Sequence, residues 1–133
     1  MSRIQILFVL GAAIAAAQES PRKLIASMEG KDLFRAYCAS CHGMDAKGNG
    51  PVAPALKAPI PDLTTLAKRN RGVFPREEME KMIMGEKKGA RAAHGTGEMP
   101  VWGPVFHKVE NDQDFALVRV RRLVEYLTKL QVK

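Results

Sequence analysis

The chain has 133 residues, which is the usual size of one domain rather than two. It carries 21 Lys and Arg against 14 Asp and Glu, which gives a formal net charge of +7 at pH 7. The basic residues are spread along the chain without a run of five and without interleaved aromatics, so the pattern disfavours a nucleic-acid-binding protein. The 2 cysteines are too few for a disulfide scaffold.

Residues 1–17 have the three parts of a secretory signal peptide. Arg3 supplies a positive charge, residues 4–17 are uncharged and mostly apolar, and small alanines precede the polar residue Gln18. The apolar stretch is shorter than the about 20 residues that span a membrane. We therefore predict an exported, periplasmic protein that is soluble after cleavage near Ala17, with an uncleaved anchor as the alternative.

The rest of the chain is predicted to be a short lead-in (18–28) and one folded domain (29–133). Apolar residues recur at helical spacing over 29–41 and along the last part of the chain, and no alternating strand pattern of useful length occurs. Asp62 is a candidate N-cap and Gly85 a candidate helix stop. The predicted helices cover 29–41, 63 to about 69, 75–85, and a last segment capped by Asn111 or Asp112 and running to about Leu130.

Long loops separate these helices. Residues 43–61 are rich in Pro and Gly, and residues 86–98 are rich in Gly and charge, so neither segment is expected to be helical. Loops of this length in a small domain usually wrap around something or move. The sequence therefore predicts an all-α domain with long loops.

A C-x-x-C-H pattern occupies residues 38–42, with Cys38, Cys41 and His42 as its fixed members. This spacing lets two thiols add to the two vinyl groups of haem while the adjacent imidazole binds the iron. We therefore predict one covalently attached haem c per chain.

The two cysteines have three other interpretations. A zinc site needs about four ligands, and no second pair exists, although His94 and His107 could complete a set on paper. A thioredoxin-like redox pair needs a βαβ setting, which the helical pattern does not provide. A simple disulfide in an exported protein is the third alternative.

The sequence resembles the class I c-type cytochromes in three segments. These are GKDLF with YCASCHG over 30–43, EMPVWG over 98–103, and Leu123 with Tyr126-Leu127 near the end. The resemblance extends from Gly30 to Leu130, and the C-x-x-C-H and Met-Pro pieces are its most specific parts. It implies the class I cytochrome c-like fold, with about four to five helices and long loops around one haem.

The resemblance also implies particular residue roles. His42 would be the proximal and Met99 the distal ligand of the haem iron, and Leu56 would pack against the haem face. Pro51 would offer its carbonyl to the ring N–H of His42. Trp102 would either pack the closing loop or donate its indole N–H to a haem propionate.

The resemblance assigns a packing role as well. Gly30, without a side chain, would let the first and last helices cross closely, with Phe34 near Tyr126 in the crossing.

Taken from the residues alone, Met99 is either an iron ligand or an ordinary packing residue. The other methionines of the mature chain offer weaker candidates, since Met79, Met82 and Met84 fall in a predicted helix and are expected in the core. Two histidines, His94 and His107, are rival ligands, and both are interpreted as surface loop residues.

Two axial ligands would leave no vacancy on the iron, which indicates a single-electron carrier rather than an enzyme. We expect it to shuttle electrons between exported or membrane redox partners, with an acidic docking surface on a membrane oxidase or reductase. Neither a nucleic acid nor a small-molecule substrate is expected. The alternatives are a haem subunit of a larger oxidoreductase complex, or a haem enzyme or gas sensor if Met99 does not bind the iron. The protein would be a monomer or a complex subunit.

Overall fold

The computed structural model describes residues 27–86, 99–110 and 113–132. The predicted signal peptide, residues 18–26, the loop 87–98 and the candidate caps Asn111 and Asp112 lie outside the described residues. The described helices are α1 (Gly30–Tyr37), α2 (Ala39–His42), α3 (Leu66–Arg69), α4 (Arg76–Met84), α5 (Trp102–Glu110) and α6 (Gln113–Lys129), with 3-10 turns at Ala53–Ala55 and Leu63–Thr65.

No strand occurs in the described part of the chain, so the all-α prediction is confirmed. Within those same residues, none of the helices combines the length and apolar character needed to cross a membrane.

Helix α6 is the centre of the packing, because α1, α4 and α5 all lie against it. Its predicted apolar stripe is buried at Ala116, Val120, Leu123 and Leu127, and Leu130 is half-buried. Helix α4 contributes core residues as expected, since Met79 is buried and Met82 and Met84 pack partly buried against the core.

Helices α1 and α6 cross with their backbones in close contact. A β-carbon added at Gly30 would lie 2.1 Å from the backbone oxygen of Arg122 and 2.9 Å from Cβ of Tyr126. One turn further along α1, the ring of Phe34 contacts that of Tyr126 at 5.5 Å between centroids. The predicted crossing is confirmed, and only glycine fits at its closest point.

The helix predicted over 29–41 is interrupted at Cys38. The Cys38 backbone N–H still donates to the Phe34 carbonyl, and α2 begins with the His42 amide donating to the Cys38 carbonyl. The helical segment also ends one residue later than predicted, at His42. The prediction of one continuous helix was therefore wrong, since two helices occupy this segment.

Asp62 caps the turn that leads into α3, as predicted. Its carboxylate oxygen Oδ1 accepts hydrogen bonds from the backbone N–H of Thr64 at 2.8 Å and from the Thr64 hydroxyl at 2.6 Å. The pKa of the Asp62 carboxyl lies below its usual value, chiefly because the Thr64 hydroxyl donates to it.

Replacing Asp62 by alanine should lower the free energy of unfolding by about 1 kcal/mol, the usual cost of a lost N-cap. Because folding lowers the carboxyl pKa, the charged cap contributes fully above the pKa of the unfolded chain and is lost as pH falls through the folded-state pKa. Urea unfolding at neutral and acidic pH measures both effects. Asp62→Asn is the matched control, since asparagine also caps helices but does not titrate. It should keep most of the stability at both pH values, and an acid-dependent loss equal to that of the wild type would contradict the assignment.

Candidate functional site

A cavity opens beside α2. Three chain segments surround it: the end of α1 with α2, the loop before Asp62, and the segment that enters α5. Its walls are mostly apolar. The lining residues are Ala36, Tyr37, Cys38, Ser40, Cys41, His42, Leu56, Ala58, Ile60, Pro61, Met99, Pro100 and Trp102.

The structure therefore brings together six of the seven predicted site residues in one cavity: Cys38, Cys41, His42, Leu56, Met99 and Trp102. The seventh, Pro51, is exposed and lies outside this lining. Its predicted hydrogen bond to the ring of His42 stays a prediction.

His42 and Met99 also face the inside of the protein. Both border a second, smaller cavity, whose other walls include Leu123 and Leu127 of α6. The His42 side is closed by packing, since the residue is only 6% exposed. The two candidate ligands thus lie between the open cavity and the core.

The loop after His42 folds back onto α2 and is fixed by backbone hydrogen bonds. The amide of Gly48 donates to the His42 carbonyl at 2.8 Å, that of Gly50 to the Cys41 carbonyl at 3.1 Å, and that of Val52 to the Ser40 carbonyl at 3.0 Å. These bonds satisfy carbonyls at the end of a short helix. They also set the course of the chain towards Leu56 and the cavity wall.

Cys38 and Cys41 are free thiols in the structure, with no disulfide between them. Burial, and then the neighbouring Cys41, raise the pKa of the Cys38 thiol to about 12. A thiol that attacks disulfides needs the opposite, a lowered pKa in an electropositive setting. The environment of Cys38 therefore disfavours the thioredoxin-like interpretation.

Met99 lies at the cavity on a segment that packs closely against the end of α4. We call this packing, of Val101 against Gly85 and of Gly103 against Met84, the clamp. A β-carbon on Gly85, the left-handed residue that ends α4, would lie 2.0 Å from Cγ1 of Val101. A β-carbon on Gly103 would lie 2.7 Å from the backbone oxygen of Met84. These two close approaches hold the entry to α5 against the end of α4, and so hold the segment that carries Met99.

An aromatic cluster forms the wall behind Trp102. Its indole meets the ring of Tyr37 edge-on at 5.3 Å and stacks on Phe106 at 6.0 Å, while Tyr37 meets Phe106 at 5.0 Å. This packing agrees with the first of the two roles predicted for Trp102. The propionate contact stays a prediction.

Arg119 is fully buried behind this cluster, with its guanidinium carbon 5.9 Å from the centroid of Phe106. A planar cation over an aromatic face is a favourable contact in a dry setting. An arginine in a helix of a basic chain is expected to face solvent, and Arg119 does not.

Tyr37, Ile60 and Pro61 are lining residues that the sequence analysis missed. A signal for the last two was present: only one charged residue, Lys57, occurs between Gly50 and Pro61, so the loop was apolar enough to face a cofactor.

His107 was predicted to lie in a surface loop, and this prediction was wrong. The residue lies half-buried on α5, with Nδ1 buried. His94 lies outside the described residues. Within residues 27–86, 99–110 and 113–132, no group of three or more His, Cys, Asp or Glu side chains is arranged to hold a metal ion.

The residues at the cavity fit a haem by the chemistry of their donor atoms. Two free thiols in C-x-x-C-H spacing can form thioethers, and a buried imidazole and a thioether sulfur are the axial pair found in c-type cytochromes. Apolar walls match the porphyrin faces.

Comparison with known proteins agrees with this chemistry. The family model described as "Cytochrome c" matches residues 27–131, which include every described helix. No curated protein and no solved structure matches the chain. Because the family match covers most of the chain and its site residues line one cavity, the chain belongs to the cytochrome c family, the haem-based electron carriers.

Proposed function

We propose that this protein carries single electrons on one haem c, attached through Cys38 and Cys41, with His42 and Met99 as axial ligands. The observation that supports this most directly is that donor groups from two distant segments line one apolar cavity. When bound, the haem supplies an iron that changes reversibly by one electron.

In this proposal, the residues around the iron favour electron transfer over catalysis. His42 and Met99 would both bind the iron, which would leave no position on it for a substrate molecule. The thioether of Met99 and the apolar walls both disfavour added positive charge, which raises the reduction potential. Burial of His42 limits the rearrangement of water during transfer.

The proposed working place is the periplasm, after removal of residues 1–17. The proposed partner is a membrane oxidase or reductase with an acidic docking surface, which the net positive charge of the chain would attract over long range. The association rate should fall as salt is added, since salt screens this attraction. Stopped-flow measurements with a candidate partner would test this, and a rate insensitive to ionic strength would argue against an acidic partner.

An absorption spectrum of protein exported together with haem-attachment machinery tests the central proposal. We expect low-spin spectra in both oxidation states, the weak red band of ferric iron bound to methionine, and haem that resists extraction with acid acetone. If acid acetone extracts the haem, the haem is not covalently attached, and that part of the proposal is wrong. Protein without haem would overturn the proposal altogether.

The clamp at the base of the Met99 segment gives a further prediction. Replacing Gly85 by alanine should weaken the bond between Met99 and iron, because the new β-carbon would meet Val101 and because a left-handed conformation disfavours alanine. The strain of the backbone alone costs about 1 kcal/mol. The expected result is a smaller red band and a larger fraction of ferrous protein that binds carbon monoxide.

The double variant Gly85→Ala with Val101→Ala is the control for this clamp. Truncating Val101 removes Cγ1, the nearest obstacle, while the backbone strain at position 85 remains. Partial recovery of the red band is therefore expected. A band equally weak in the single and double variants would show that contact with Val101 does not position Met99.

A further inference from the structure

A side-chain amide just beyond α6 joins three backbone groups. Nε2 of Gln131 donates to the carbonyls of Leu63 at 2.9 Å and Leu127 at 2.8 Å. Its Oε1 accepts from the backbone N–H of Ala67 at 2.9 Å. A primary amide has two N–H donors, so both donors of this side chain are used. The amide thereby links the end of α6 to a segment that lies 64 to 68 positions earlier in the sequence.

The amide takes the place of a helical hydrogen bond. Leu63 and Ala67 are four residues apart, the spacing at which a carbonyl and an N–H pair in an α-helix. Here the side chain of Gln131 lies between them, donating to the first and accepting from the second. The 3-10 turn Leu63–Thr65 gives way to α3 at this point. Without the amide, both backbone groups would need water as a partner unless the backbone moved.

Leu63 is the member of this arrangement that reaches the candidate haem site. Its side chain is 5% exposed and borders the inner cavity together with His42 and Met99. Its backbone N–H donates to the carbonyl of Ala46 at 2.8 Å, in the loop that follows His42. Both backbone groups of Leu63 are therefore held, one by that loop and the other by Gln131.

We propose that Gln131 is a positioning residue for electron transfer, which acts through Leu63 to keep water out of the inner cavity. This inference rests on the proposed function. Gln131 lies outside the linings of both cavities, so its influence must pass through a residue that it binds. It is half-buried, and water that replaced its amide would lie beside the backbone of Leu63.

The expected consequence concerns the reduction potential. The apolar shell around a metal centre controls the access of water and the local dielectric, and hence the potential. A dry cavity disfavours the more highly charged ferric iron. The Gln131 amide should therefore raise the reduction potential.

A purely structural role is the alternative. By binding the Leu127 carbonyl, Gln131 also satisfies one of the last carbonyls of α6, as a helix cap does. A cap alone predicts that removal of the amide lowers stability and leaves the reduction potential unchanged. The potential therefore separates the two roles.

Redox titration of haem-loaded, exported Gln131→Leu tests the proposal. The equilibrium constant for reduction should fall on the order of tenfold, which is about 59 mV for a one-electron couple. The red band should be retained, because neither proposed axial ligand is touched. Hydrogen exchange at the Ala67 amide should become faster, because its acceptor is lost.

Three results would overturn the proposal. One is an unchanged potential, and another is unchanged exchange at Ala67. The third is loss of the red band, because Gln131 would then position the iron ligands rather than Leu63. Failure of the proposed function would look different, since the wild-type protein itself would lack low-spin haem, and both proposals would then fall.

Thr128→Val is the matched control. The Thr128 hydroxyl donates to the Val124 carbonyl at 2.8 Å, so this variant removes a hydrogen bond near the same helix end without touching Leu63. Its potential should equal that of the wild type. A shift as large as that of Gln131→Leu would mean that any weakening of this helix end changes the potential, and the proposal would be wrong. Neither substitution changes the net charge, so charge cannot cause the shift.

Leu63→Val tests the same wall while leaving the backbone partners of Gln131 in place. It removes one methylene from the cavity wall and should also lower the potential. In the double variant with Gln131→Leu, the shift should be smaller than the sum of the two single shifts, because both changes act on one wall. Additive shifts would mean that Gln131 acts elsewhere, which would contradict the proposal. Gln131→Met, which keeps the length of the side chain, replaces Gln131→Leu if the latter does not fold.

Discussion

Replacing Met99 by alanine should open one axial position of the haem iron and leave the fold intact. Met99 is half-buried at the edge of the core, so its loss should cost less stability than truncation of a fully buried residue. The weak red band should disappear, and the ferrous protein should bind carbon monoxide. The reduction potential should fall by about a hundred millivolts or more, a fraction of the about 0.8 V over which axial ligands set haem potentials.

Met79→Ala is the informative control for this experiment. Met79 borders the same inner cavity as His42 and Met99, which makes it the rival methionine by position. It is 5% exposed on α4, so its truncation should cost about 2–5 kcal/mol of stability without changing the spectrum. Loss of the red band in Met79→Ala, with its retention in Met99→Ala, would exchange the roles of the two residues.

The haem site was predictable because its chemistry depends on short-range spacing. Cys38, Cys41 and His42 are adjacent in sequence and fall on one short helical segment, so their convergence needs no knowledge of the fold. Met99 was different. Its place at the cavity depends on contacts between the ends of α4 and α5, and the resemblance to a family supplied what spacing could not.

Helix α5 was not predicted, and the reason is local. It opens with Trp102-Gly103-Pro104, and glycine with proline usually marks a loop. In the first turn of a helix, however, a proline loses no hydrogen bond, because the first N–H groups have no partner within the helix. Burial of Phe106 against Tyr37 and Trp102 then stabilises the helix, and such tertiary contacts leave no pattern in so short a segment.

The same limit applies to Arg119. Composition alone predicts that an arginine faces water. Only the arrangement of α5 over α6 places Phe106 next to its guanidinium. Long-range packing, rather than periodicity, decides such positions.

Replacing Gly30 by alanine tests the packing on which the whole site depends. Intrinsic helix propensity predicts that alanine stabilises α1 by up to about 1 kcal/mol. The crossing predicts the opposite, because the new β-carbon would lie 2.1 Å from a backbone oxygen of α6. Overpacking of this kind costs about 1–3 kcal/mol, and here the obstacle cannot rotate away. We therefore expect a net loss near the upper end of that range.

Urea unfolding of the haem-loaded protein, followed by circular dichroism, measures this loss. Lys31→Ala, at the next position of the same helix, is exposed and should change stability by less than about 0.5 kcal/mol. Truncating Tyr126 to alanine in the Gly30→Ala background should not restore stability, because the two nearest obstacles are the Arg122 carbonyl and the β-carbon that alanine keeps. A Gly30→Ala protein as stable as the wild type would mean that α1 and α6 can move apart without a cost in stability. The close crossing would then not be what holds α1, and the C-x-x-C-H segment that follows it, against the core.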